Sequence, residues 1–192
     1  GAGTNGRFAL KDFGMKNSQK EMLLAFANVN NLNDNQIANI QGQWTPQEDT
    51  NGLQTNRTAN VSYAKFFGGD MFKWISTSNT ISHNGEDIQM LKNAEVYLPS
   101  RNIYQHAQDG TINKSTIFDS KNAFNYEENG KYSTHSTLDI LYKHNDKYKS
   151  AFTSNSEGNS LLNELNEKTT HTNEQFNIKF ANENNFNISV VD

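Results

Sequence analysis

Apolar and polar residues alternate with a period of two along most of the chain, most plainly between residues 131 and 144. There Tyr132, Thr134, Ser136, Leu138, Ile140 and Tyr142 share one parity, while Ser133, His135, Thr137, Asp139 and Lys143 occupy the other. A period of two sends successive side chains to opposite sides of an extended strand. One side is therefore apolar at its middle with a tyrosine at each end, and the other is polar throughout. A strand crossing a bilayer needs that arrangement, because its lipid side requires an apolar centre flanked by amphipathic aromatics while its lumen side meets water. A half-buried strand of a soluble sandwich gives nearly the same alternation.

The same pattern predicts strands at 7–16, 21–31, 56–67, 71–83, 87–98, 111–127, 147–155 and 173–191, the last a hairpin turning near Glu183-Asn184. Ser160 to Lys168, with Leu161, Leu162 and Leu165 on one helical face, is the single helix candidate. Asn17-Ser18-Gln19-Lys20, Gly68-Gly69-Asp70 and Asn129-Gly130 are hairpin-turn sequences, since Asn, Asp and Gly supply the positive φ that tight turns demand. The polar stretches from Asn33 to Thr55 and over much of Asn84 to Asn113 are expected to be long loops. Short turns at one end and long loops at the other are the habit of outer-membrane barrels. The predicted fold is all-β: an antiparallel meander that is part of an up-and-down β-barrel, or a small barrel of its own. A soluble β-sandwich is the alternative. Residues 1–192 are expected to form a single all-β domain, a fragment of a larger protein.

Composition sharpens this. Hydrophobic residues make up 34% and charged residues 20%, with a mean hydropathy of -0.83, so the polarity is uncharged: 30 residues are Asn. With 12 Phe, 7 Tyr and only 2 Pro the chain lacks the signature of disorder and is expected to fold. Seventeen basic against twenty-one acidic residues give a net charge of -4, and no basic stripe is present to serve nucleic acid. Without cysteine there is no disulfide framework and no thiolate zinc site. No apolar run reaches the roughly 18 residues of a transmembrane helix, which is silent about a barrel, whose strands need only about 9 to 11. Gly1 to Gly6 enter the strand pattern without a basic or apolar leader, as expected of a start internal to a longer protein or left by processing.

Candidate chemistry is sparse. His83, His106, His135, His144 and His171 show neither HExxH spacing nor an i, i+4 pair on a helix, so no metal or cofactor is expected. The acidic pairs Glu127-Glu128 and Glu86-Asp87 adjoin turns, where acids ordinarily serve solubility, and no catalytic constellation emerges. An enzyme is not expected. Trp44 stands in the long loop with Gln43, Gln47 and Asn51 nearby, a set able to stack on and hydrogen-bond a small glycan or peptide. In the competing reading Trp44 pins its own loop against the sheet.

A resemblance rests on AGTNGRFALKDFG (2–14), FANVNNLNDN (26–35), QGQWTP (41–46) and NGLQTNRTANVSY (51–63), followed by Phe72-Lys73-Trp74, Ser82-His83 and Glu95-Val96-Tyr97-Leu98-Pro99. In this order the pieces resemble the barrel segment of Bacteroidetes-type TonB-dependent outer-membrane receptors, the family that often carries a carboxypeptidase-like regulatory domain. The resemblance covers residues 1 to about 155 and fades beyond. Asn35 to Ile40 stand where the family has a basic, Gly-rich loop. It implies a location in the bacterial outer membrane or cell envelope, nutrient uptake, and contact with outer-membrane lipid and with the TonB system through other parts of the parent. Such a barrel has about 22 strands, so the strands predicted here would form less than half of it.

Overall fold

The computed structural model describes residues 6–39, 43–46, 52–67, 73–128 and 131–186. Among the described residues seven strands succeed one another: β1 (Ala9–Asn17), β2 (Glu21–Asn30), β3 (Leu53–Phe66), β4 (Trp74–Leu98), β5 (Arg101–Glu128), β6 (Tyr132–Glu157) and β7 (Ser160–Phe186). Each pairs antiparallel with the next in one sheet of order β1 to β7. The all-β meander expected from the alternation is therefore the fold. β1 and β7 make no contact, so the sheet is open and is not a small closed barrel. Among the described residues no second sheet faces it, as a sandwich would require.

Residues paired across antiparallel strands point to the same side, so the register sorts every side chain onto one of two faces. On one face lie Asn28, Thr58, Ser82 and Ile117 in one rung and Leu24, Ser62, Ser78 and Lys121 in another. It is dominated by amides, hydroxyls and charges. The other face carries the rung Ala59, Ile81, Phe118, Tyr142 and Phe176, with Ile140 and Ile178 paired just below. The next rung up on that face is Arg57, His83, Thr116, His144 and Glu174. The apolar band thus ends abruptly in a polar row.

Several local expectations are corrected. Ser160–Lys168 is the start of β7, because pairing with β6 residues such as Thr153 and Phe152 supplies backbone partners that a lone helical turn lacks. Strands expected at 71–83 and 87–98 are one, β4, and those at 131–144 and 147–155 are one, β6. Gly85 reads as a breaker, yet it sits inside β4 where a Cβ would stand 2.6 Å from Thr55 Oγ1. A strand glycine there permits close cross-strand approach. Much of Asn84–Asn113 is not loop but the outer part of the β4–β5 hairpin, closed by the tight turn at Pro99 and Ser100. Its polarity on both sides arises because both faces are exposed, which period-two reading scores as loop. The turn expected at Glu183-Asn184 lies within β7, where both residues pair with β6. The turn at Asn17–Lys20 is present, with Ser18 N donating to Glu21 O at 2.8 Å. Gly68-Gly69-Asp70 and Asn129-Gly130 lie outside the described residues.

The core is small: Leu24, Phe26 and Ala38, with Phe13 and Trp44 packed against it. It forms where the segment after β2 folds back onto the polar face. Gly52 closes that segment with φ +78, and a Cβ there would meet Asp87 O at 2.5 Å and Ile88 Cγ1 at 2.8 Å. Gly158, between β6 and β7, has φ +57 and open space around it. Gly158→Ala is predicted to cost about 1 kcal/mol, the left-handed penalty alone, and Gly52→Ala about 2–4 kcal/mol because steric displacement adds to it. Denaturant midpoints of the two variants check this, and equal losses would refute the close approach at Gly52.

Candidate functional site

The segment between β2 and β3 is held by buried amides. Asn28 and Asn30 are both 0% exposed. A buried amide is costly unless its donors and acceptor are matched, and here they are. Asn28 Nδ2 donates to the Gln36 carbonyl at 2.8 Å and to the Asp34 carbonyl and carboxylate at 3.3 Å. Asn30 Nδ2 donates to Asn28 Oδ1 at 2.7 Å and to the Asp34 carbonyl at 2.8 Å, while its Oδ1 accepts from the backbone of Leu32 and Asp34 at 3.1 Å. From β3, Asn56 Nδ2 adds a bond to the same Asp34 carbonyl at 3.0 Å. From β1, Lys11 reaches the Asp34 carboxylate and Gln36 Oε1, each at 2.5 Å.

Trp44 lies on this assembly. Its ring meets Phe26 edge-on with centroids 6.0 Å apart, and Lys11 Nζ stands 4.9 Å from the ring centroid. Trp44 thus packs its own loop to the sheet. Gln43, the second residue of the anticipated ligand set, is exposed at the loop tip, where its backbone N–H bonds Asn39 Oδ1 at 2.9 Å. Gln47 and Asn51 lie outside the described residues.

A cleft of about 450 Å³ opens beside the loop on the polar face. Asn35 and Ile37 overhang it. Its floor is two cross-strand rungs, Gln54–Glu86–Asn113 and Asn56–Asn84–Ser115. Gln54 Nε2 donates to Glu86 Oε1 at 3.3 Å. Asn113 Oδ1 is buried and has no hydrogen-bond partner among the described residues. Sequence reasoning missed these residues, because they converge only through register; the signal the sequence does carry is the i, i+2 series Asn56, Thr58, Asn60 on one face of β3.

On the opposite face, the polar row above the apolar band contains a charge cluster. His144 bonds Glu174 through Nδ1 at 3.0 Å and Asp146 through Nε2 at 2.9 Å, and Thr172 Oγ1 donates to Asp146 at 2.8 Å. Hydrogen bonds to Asp146 and Glu174 raise the His144 pKa, and those from Thr172 and His144 lower that of Asp146. Among the described residues no three acidic or imidazole side chains are grouped to hold a metal.

Two predictions follow from these contacts. Asn28→Ala leaves the Gln36 carbonyl without its donor, at about 1–3 kcal/mol, and loosens the loop. In a Trp74→Phe background, Trp44 emission should shift to the red; an unshifted spectrum would mean that the amide does not hold the loop. For His144, a raised folded pKa means the stabilisation is full below the ordinary histidine value and fades as pH rises through the folded value. The depressed Asp146 adds stabilisation that is lost only in acid, as pH falls through its folded value. Amide protection at 144–146 and 172–174, corrected for intrinsic exchange, should therefore peak in mildly acidic solution, and His144→Gln should flatten the alkaline limb.

No protein family matches the chain, and neither does any curated protein or solved structure.

Proposed function

We propose that this chain is a wall segment of an outer-membrane β-barrel receptor, with the polar face turned to a water-filled lumen and the banded face to lipid. The observation that carries the reading is the apolar band on one face, which gives way to the polar row at His144. On β6 it runs from Tyr132 to Tyr142, both on the banded face. Those ten steps span about 33 Å along a strand at about 3.3 Å per residue, or about 25 Å of height at a tilt near 40°, the height of a barrel's lipid-facing band. Tyr126, Tyr132 and Phe186 cluster at the turn end of the band, as an interfacial aromatic girdle would. Large apolar side chains on this face are solvent-exposed in the isolated sheet, Ile81 at 55%, Ile178 at 60% and Phe180 at 67% among them. An exposed patch of this kind calls for a covering medium.

Polar residues within the band satisfy one another. Ser120 Oγ donates to Asn79 Oδ1 at 2.7 Å, and Asn122 Nδ2 donates to Ser120 Oγ at 3.1 Å and to the Leu138 carbonyl at 3.2 Å. In hydrocarbon an unmatched amide is strongly disfavoured, whereas a closed network is tolerated. The free edges of β1 and β7 would be paired by further strands of the same receptor, because an unpaired edge is not tolerated in a bilayer. Beyond the band, β4 to β7 continue as long hairpins of mixed polarity, with Leu91 and Ile112 exposed among polar residues, and these would reach into the aqueous phase outside. Together with the motif order of residues 1–155, this supports a role in nutrient uptake coupled to the TonB system, with no chemical step of its own.

The test is light scattering and circular dichroism of the purified chain with and without detergent. Detergent-dependent solubility with β-rich spectra is expected. A β-rich monomer in plain buffer would overturn the lipid-facing assignment.

A further inference from the structure

The polar row that ends the apolar band is unevenly charged, and we propose that its β3–β5 half binds the phosphate of a lipid headgroup. This inference rests on the receptor reading, in which the row lies where the hydrocarbon of the outer leaflet gives way to its headgroups. Arg57 on β3 and His83 on β4 are direct cross-strand partners, so their Cβ atoms stand about 5 Å apart on the same face. Immediately below them, Ala59, Ile81 and Phe118 form the top rung of the band. On the rung above, Lys114 of β5 pairs with Gly85 of β4, and Gly85 with Thr55 of β3. Gly85 has no side chain to fill the middle of that rung. The Thr55 hydroxyl leans into the space, 2.6 Å from where a Cβ would be. A guanidinium, an imidazole, a hydroxyl and an ammonium thus surround a position that has no side chain of its own.

These cations are not engaged by the protein, unlike the charges on the other half of the row. There His144 holds Glu174 and Asp146, and Asp146 also accepts from Thr172. Arg57 is exposed and has no ion-pair partner among the described residues. His83 places Nδ1 on the Thr116 hydroxyl at 2.9 Å, and in the tautomer that accepts the Thr116 proton its Nε2–H is a donor. Two carboxylates border the site, Asp87 on β4 and Asp146 on β6, and the second is the one already held by His144 and Thr172. The set selects a phosphate. A guanidinium forks onto two phosphate oxygens, and a phosphate has further oxygens for His83 and Thr55, whereas a carboxylate is exhausted by the fork. A cationic headgroup would be repelled by Arg57 and Lys114. The lipid source follows from what lies below, because the acyl chains of a molecule seated here would run along Phe118 and Ile81, the latter 55% exposed. A free phosphate gains nothing from that apolar surface.

The experiment is native mass spectrometry of the full chain released from dodecyl maltoside micelles doped with dioleoyl phosphatidic acid or with dioleoylglycerol, which differ only in the phosphate. Retention of a single phosphatidic acid is expected at a lipid fraction at least about tenfold below that needed for dioleoylglycerol. Arg57→Gln should reduce that preference about fivefold or more, and His83→Gln by a smaller factor. Both positions are exposed, so folding is not at stake, and circular dichroism in the same micelles checks this. Lys179→Gln removes an equal charge on β7 and on the opposite face, and should leave the preference intact. Equal retention of the two lipids, or a preference that survives Arg57→Gln, in a β-rich chain that needs detergent overturns the headgroup site and leaves the barrel reading standing. Displacement of the phosphatidic acid by inorganic phosphate at about 10 mM would make the occupant a free anion and overturn the lipid assignment. A chain that is a β-rich monomer in plain buffer overturns the receptor reading itself, and the lipid as occupant with it, whatever the retention pattern.

Discussion

A single-layer sheet has no interior, so each of its faces must be matched to whatever lies against it. That constraint organises this molecule. Helix-covered or double-layered sheets spend their apolar face on protein, but here, among the described residues, only Leu24, Phe26 and Ala38 are buried apolar side chains. A group of the remaining large apolar residues, Ile81, Phe118, Ile140, Phe176, Ile178 and Phe180 among them, lies in one band on one face, and amides, hydroxyls and charges dominate the opposite face. Alternation along each strand and register between strands act together to keep the two sets apart. A slip of one residue in any pairing would send every side chain of that strand to the wrong side.

The same constraint explains the abundance of asparagine. On the polar face, amides replace the core. Asn28 and Asn30 bind the backbone at Asp34 and Gln36, and Asn60 bridges Ser78 and Thr80 across to β4. Within the band, Asn79 and Asn122 close a network around Ser120. An amide has two donors and a two-lone-pair acceptor on a short, uncharged stem. It can therefore satisfy backbone, neighbouring hydroxyls or ligand without the desolvation penalty of a carboxylate or ammonium. Where charge does enter the inner assembly, Lys11 and Asp34 come as a pair.

Loop and cleft are parts of one construction. The amides that draw residues 31–39 onto the sheet also fix Asn35 and Ile37 above the rungs of β3, β4 and β5. Trp44, whose position in a polar loop suggested stacking on a ligand, acts through Phe26 and Lys11 to hold that overhang. The charge row at His144 marks the upper limit of the band on the other face, where a bilayer would give way to water.

The sequence by itself determined the all-β class, because a period of two in a chain with few helix formers and many turn residues is a local property. It also determined the two-sidedness of the best-patterned strand, since Tyr132 to Tyr142 alternate whatever their partners. Strand lengths escaped it: Gly85, Asp146 and the polar reaches of β4, β5 and β7 look like interruptions until cross-strand hydrogen bonds hold them extended. The leucines of Ser160–Lys168 suggested a helix for the same reason, as the pairing with β6 that decides the matter comes from residues distant in the chain. Only the tertiary structure decided which rungs meet. Gln54, Glu86 and Asn113 are separated by 32 and 27 positions and form one row through register alone. No pattern within a single strand carries that information, because pairing is a property of two strands.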